Sequence, residues 1–229
     1  MKIFKKLIIF ILIILIIGTT LLLFIGYNSY SNAIREESLE LRVKEITQME
    51  NFVAFEDLSE DYVNAVVAVE DHRYYEHGAI DPIAIVRALW INLKNFELQE
   101  GGSTITQQLA KNIVFSQEET VERKMGELFA AYDLEENYSK DEILALYVNS
   151  AYFGDGYYGI YSASMGYYNK EPIDLTLDEA SMLAGIPNAP SVYSPNVNPD
   201  LALKRHEHVL NKMVEYGYIT EEQANSILE

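Results

Sequence analysis

The chain has 229 residues, with 17 Lys and Arg against 35 Asp and Glu, a formal charge of −18, and no cysteine. That length suits an anchor plus one domain of ordinary size, the acidic balance argues against nucleic acid as a partner, and no disulfide framework can form. Without Lys2, Lys5 and Lys6 the remainder carries 14 basic and 35 acidic residues, net −21, so any bound phosphate must be held by a local cluster of cations.

Leu7 to Tyr27 is a run of 21 residues without a charge. As a helix it reaches roughly 32 Å, enough to cross a bilayer core. The three lysines before it place the N-terminus in the cytoplasm and the rest outside by the positive-inside tendency. No small-x-small cleavage site follows at Tyr27-Asn28-Ser29-Tyr30, so residues 1–27 read as a cytoplasmic tip and retained anchor rather than a signal peptide. Residues 28–57 are polar and charge-rich and are expected to form a stalk; 58–229 form the domain.

Beyond the stalk, helix signals dominate. Ser59 can cap a helix reaching His72, and Asp81-Pro82 supplies an N-cap with proline at the first helical position for a helix to Asn95. Capping boxes recur at Ser116…Glu119, Ser139…Glu142, Thr176…Glu179 and Thr220…Gln223. Breakers separate these runs: Gly101-Gly102, the Gly154/Gly156/Gly159 cluster, Gly185 with Pro187, Pro190 and Pro195, and Gly217. No sustained alternation appears, so the expected fold is all-α, built from short helices.

Three groups of residues carry potential chemistry. Val63, Val66 and Val67 lie on one helical stripe that Glu70 continues, so the carboxylate points the way the core does; desolvation makes a carboxylate a stronger base. Gly101-Gly102 frees the backbone to approach a ligand, Ser103, Thr104 and Thr106 add hydroxyls, Gln107 and Gln108 add amides, and Lys111 follows Gln107 by one turn. Arg123, Lys124 and Glu127 share a helix face. Each pattern also has an ordinary reading: a solvated Glu, an N-capping turn, and a surface ion pair worth about 0.3–0.5 kcal/mol.

The blocks Glu70-Asp71-His72-Arg73-Tyr74-Tyr75-Glu76-His77, Gly101 to Asn112, Arg123-Lys124-Met125-Gly126-Glu127, Tyr147 to Gly159 and Leu175 to Pro195 occur in one order. Together they resemble the peptidoglycan glycosyltransferase domain of penicillin-binding proteins, glycosyltransferase family 51, in its monofunctional membrane-anchored form. The resemblance runs from Leu58 to the C-terminus and implies a lysozyme-like, two-lobed helical fold with a cleft. It implies polymerisation of lipid II into β-1,4-linked glycan strands with release of polyprenyl pyrophosphate. Glu70 would deprotonate the acceptor's 4-hydroxyl, and Ser103, Thr104, Gln107, Gln108, Lys111, Arg123 and Lys124 would bind the substrate. Glu127 would assist the leaving group, directly or through a divalent cation such as Mg2+; no other cofactor is implied. Asp71 and Arg73 would brace the site. The implied partners are lipid II, the growing strand, the cytoplasmic membrane and other cell-wall synthesis proteins. The implied location is the bacterial cell membrane, single-pass, with the domain extracellular. The chain stops just after Leu228, so no Ser-x-x-Lys transpeptidase domain is expected.

Some positions depart from the family pattern. Glu119 stands where the family commonly has Arg, Tyr161 where it often has Glu, Asn169 where it often has Gly, and Tyr74 where it usually has Phe. The loss of a phosphate-side cation at Glu119 raises the alternative of a weakly active or inactive lipid II-binding scaffold. A glycan-cleaving enzyme is a further reading, but it has no need of cations around a leaving phosphate. His77 reads as structural, His206 and His208 as solvated. Tyr147, Asn149, Tyr152 and Phe153 are divided between cleft lining and core.

Overall fold

The computed structural model describes residues 2–95, 101–115 and 120–229. The fold is all-α: among the described residues the extended pairing is confined to an isolated bridge between Tyr152 and Tyr158. Helices start where the caps predict. Ser139 with Glu142, Thr176 with Glu179 and Thr220 with Gln223 each form a reciprocal box that satisfies otherwise orphaned first-turn N–H groups. Asp81 Oδ1 accepts the N–H groups of Ile83 and Ala84 at 2.8 and 3.1 Å. The Ser116…Glu119 box, and with it the Glu119 departure, lies outside the described residues; the helix that follows uses Thr120 as its cap.

The elements are α1 (Lys2–Glu36), α2 (Leu39–Thr47), α3 (Glu60–Glu70), α4 (Pro82–Asn95), α5 (Ile105–Val114), α6 (Val121–Asn137), α7 (Lys140–Ser150), α8 (Gly159–Tyr168), α9 (Leu177–Gly185), α10 (Pro190–Tyr193), α11 (Pro199–Glu215) and α12 (Glu221–Leu228). Helices α3, α9 and α11 pack on one another as one group, and α5, α6 and α7 as a second. They share one core, in which Tyr62, Ile105, Leu109, Leu134, Ile143, Leu144, Phe153 and Leu183 are fully buried. The cleft described below opens between the two groups.

Two expectations change and one open reading is resolved. The helix from Ser59 ends at Glu70 rather than His72, because Asp71 leaves helical space at φ −160° and a short 3₁₀ turn, Tyr74–Glu76, follows. The expected stalk is folded into the domain: α1 continues to Glu36, and Tyr30, Leu39, Val43, Ile46 and Val53 enter the core. The spacing of Leu39, Val43 and Ile46 makes one apolar stripe, which the polar average of the segment conceals. Tyr147, Asn149 and Phe153 belong to the core rather than the cleft wall; Asn149 ties α7 to Val53 through both its amide oxygen and its NH₂. Asn169 occupies a left-handed position, φ 53°, at the end of α8. That conformation suits Gly or Asn and little else, which accounts for the exchange of one for the other.

Candidate active site

Glu70 is the last residue of α3, and its side chain is only 7% exposed. Packing of Val66 and Val67 on the same stripe aims it inward. Gln108 on α5 donates from Nε2 to Glu70 Oε2 at 2.7 Å, while the hydroxyl of Tyr147 donates to Gln108 Oε1 at 3.3 Å. Arg205 Nη2, from α11, stands 3.5 Å from Oε1. The carboxylate is thus held by one helix from each group. Burial, together with the charge of Glu70, keeps the Tyr147 hydroxyl protonated far above its ordinary range, so it serves as a fixed donor.

The Gly101 turn is built around a capping box that the sequence reading did not single out. Thr104 Oγ1 accepts the Gln107 N–H at 3.2 Å, and Gln107 Oε1 accepts the Thr104 N–H at 3.0 Å. Thr104 also donates to the Ala79 carbonyl at 2.9 Å. Both side chains line the cleft but are nearly fully buried, and their polar groups hold the turn. Thr106 points away from the cleft, to the carboxylate of Glu135 at 2.5 Å. Lys111 lines the cleft and makes no ion pair among the described residues.

On α6, Glu127 is 1% exposed. Lys124 Nζ lies 2.8 Å from its Oε2, and Arg123 Nη1 lies 3.2 Å from its Oε1. The Arg123 contact is an ion pair outside hydrogen-bond geometry, which leaves Oε1 and the Arg123 Nε without a hydrogen-bond partner. Lys124 is half exposed and also donates to Ser103 Oγ at 2.8 Å, so the Gly101 turn and α6 meet through it. Arg123 does not line the cleft; it backs Glu127 from the side.

Glu70, Asp71, Ser103, Thr104, Gln107, Gln108, Lys111, Lys124 and Glu127 therefore line a single cleft of about 530 Å3. Arg73 stands outside it, 3.0 Å from Asp81 and 3.7 Å from Glu76. The sequence reading missed the opposite wall: Arg87, His72, Tyr193, Arg205, His208, Lys212 and Tyr216. His72 stacks on Tyr216 with ring centroids 4.1 Å apart, and Arg87 donates to its Nε2 at 3.1 Å. Burial and the Arg87 charge both push the His72 pKa down, so the ring stays neutral and accepts. Arg205 lies over the Tyr193 ring. His208 is thus a cleft residue. It is solvent-exposed there, as expected, whereas His206 is buried, with Nε2 2.7 Å from Ser181 Oγ, so the solvated reading fails for His206 alone. Their one sequence signal is weak: Arg205, His208 and Lys212 recur at helical spacing on a helix whose other face is apolar.

The donor set does not fit a divalent cation at Glu127, because both carboxylate oxygens already face cations within 3.2 Å. Among the described residues one cluster brings three metal-type side chains together, Asp71, His77 and Asp81. Their groups are engaged with each other, with the Ile105 N–H, with Arg73 and with the start of α4.

Fold and cleft define a helical domain with two buried carboxylates set among cations. The chain belongs to the transglycosylase family, whose sequence model matches residues 39–214. It is 45% identical over 172 residues to penicillin-binding protein 1A of Aquifex aeolicus, covering 75% of this chain and 24% of that protein. It is 46% identical to penicillin-binding protein 1A of Neisseria gonorrhoeae, over 79% of this chain and 23% of that one. To penicillin-binding protein 1F of Bacillus subtilis it is 40% identical over 96% of this chain and 33% of that one. A crystal structure of penicillin-binding protein 1A from Haemophilus influenzae aligns over 55% of this chain and 15% of its own at 29% identity, with a TM-score of 0.39. The chain spans about a quarter to a third of the length of these curated relatives.

Proposed function

We propose that the chain is a peptidoglycan glycosyltransferase that polymerises lipid II and releases polyprenyl pyrophosphate. The observation that carries this reading is the charge of the cleft. The chain has two acids for every base, yet Arg87, Lys111, Lys124, Arg205 and Lys212 line the cleft against Glu70, Asp71, Asp81 and Glu127. Such a concentration of cations in an acidic protein suits a polyanionic substrate, and a pyrophosphate leaving group needs that neutralisation.

In this reading Glu70 takes the proton from the acceptor's 4-hydroxyl, while Gln108 and Arg205 fix the orientation of its carboxylate. The freed oxygen forms a bond to the anomeric carbon of the donor as the bond to pyrophosphate breaks, and the electron pair leaves with the phosphate. Lys111 and Lys124 meet that charge. Glu127 holds Lys124 in place, with Arg123 balancing its second oxygen. No step runs through a metal, since both oxygens of Glu127 are already paired with cations. A scaffold that only bound lipid II would have no chemical use for Glu70 held in this way.

The location follows the same reasoning. Helix α1 is, over Phe4–Glu36, long and apolar enough to cross a membrane: its most apolar stretch has mean hydropathy 3.3 and is entirely unburied. Helix α4, which flanks the cleft, leaves Ile83, Val86, Leu89, Trp90 and Leu93 more than half exposed. An apolar face with a Trp suits the membrane interface and would bring the cleft to a lipid-linked substrate. With Lys2, Lys5 and Lys6 inside, the domain lies on the outer face. Incubation of the detergent-solubilised full chain with labelled lipid II should give polymer on a gel. A folded protein that yields none would defeat the reading.

A further inference from the structure

The outer part of α1 is built into the domain. Gly26 and Tyr30 are buried, with Ser29, Ala33 and Ile34 partly so, one stripe at helical spacing. At Gly26 the helix meets α6 so closely that a Cβ would stand 2.7 Å from both the Cβ and the carbonyl oxygen of Met125. At Gly126 a Cβ would stand 2.7 Å from the Phe115 ring and 3.1 Å from Ser29 Oγ. One and two turns further on, the Tyr27 ring meets the Phe129 ring edge-on at 5.8 Å, and the Tyr30 hydroxyl donates to the Asp133 carboxylate. Gly18, in the same helix, has nothing within 4 Å of where its Cβ would lie.

A second tie is independent of these. Arg42 on α2 donates to the carbonyls of Ile113 at 2.8 Å, Glu37 at 3.2 Å and Ala33 at 3.4 Å. Ile113 is in the last turn of α5, where carbonyls lack helical partners, and Ala33 is in the last turn of α1, where its carbonyl also accepts the Glu37 N–H at 3.4 Å. One planar guanidinium therefore closes the ends of both helices, a task its fork of donors suits. Helix α5 carries Gln108 and Lys111, and α6 carries Lys124 and Glu127.

We propose that the outer turns of α1 belong to the catalytic scaffold, with Gly26, Tyr30 and Arg42 as positioning residues that hold α5 and α6 in place against each other along one side of the cleft. The inference rests on the transferase reading above. Packed helices are stiff, so an α1 pushed off α6 at Met125 shifts Lys124 and Glu127 on the neighbouring face of the same helix.

The test uses the full chain in detergent with labelled lipid II, comparing Gly26→Leu with Gly18→Leu. Both add the same apolar bulk to one helix, and both should remain in the membrane fraction. Gly18→Leu is expected to polymerise at the parent rate, while Gly26→Leu should lose about tenfold or more in kcat/KM, the scale of a misplaced reacting group. In a Lys124→Ala background the same Gly26→Leu change should cost little more, because the contact it disturbs is already gone; a general loss of fold would instead multiply. If the parent protein makes no polymer, the transferase reading fails. If it does, and Gly26→Leu matches Gly18→Leu or its loss multiplies fully with that of Lys124→Ala, the scaffold role is overturned.

Discussion

Glu70 ends its helix one residue short of Asp71, and that placement decides what each acid does. Glu70 reaches the cleft with one oxygen on Gln108 and the other near Arg205; Asp71 turns back to accept the Ile105 N–H and face His77. Replacing Glu70 by Gln removes the proposed base with little change of volume. Polymer formation should fall by about 100- to 10,000-fold, the usual worth of a general base, with melting nearly unchanged. Near-parental activity in a folded Glu70→Gln protein would move the base elsewhere. Thr104 and Gln107 show the reverse case. Their types promised substrate contacts, yet each hydrogen-bonds the other's backbone to shape the turn.

Among elements, the joint between the end of α3 and the start of α5 runs through Asp71 and His77. His77 Nε2 is 2.8 Å from Asp71 Oδ1, and its Nδ1 is 2.6 Å from the Gly78 carbonyl. Burial works against the charged ring, but the hydrogen bonds to Asp71 and Gly78 and the Asp71 charge prevail, and the His77 pKa is raised above its ordinary 6.5. A raised pKa in the folded state means that the stabilisation is complete below 6.5 and is lost as pH climbs through the folded value. The His77 contribution to melting temperature should therefore decline as pH rises above 6.5, and His77→Gln should remove that decline. An equal slope in the variant would assign the pH dependence to other groups. The helices themselves were legible because their caps are local: Ser139, Thr176 and Thr220 each find a partner three residues on. The end of α3 was not, since it depends on where Asp71 finds a backbone N–H 34 residues away.

For the whole molecule, α1 is at about 50 Å longer than a bilayer core, so its apolar part can span while its outer end packs on the domain. Mass spectrometry of the membrane-extracted protein should find the N-terminal peptide still attached. A form starting near Asn28 and released by salt alone would contradict both the retained anchor and its place in the scaffold. Because the chain beyond the span carries net −21, its cations act locally, over about 10 Å at ordinary salt, and most of the protein surface would repel a polyanionic ligand.

By itself the sequence determined the helical class, the apolar span and the ordered blocks around Glu70, Ser103 and Lys124, because caps, breakers and periodicity act over a few residues and are written in adjacent letters. Tertiary structure decided the rest. Arg205 meets Glu70 across 135 residues, Arg42 meets Ile113 across 71, and Tyr30 meets Asp133 across 103. Nothing local in a run of charged helix marks one cation for a cleft and the next for water. That choice is made when two groups of helices close on a shared core and leave one face of α11 opposite the end of α3.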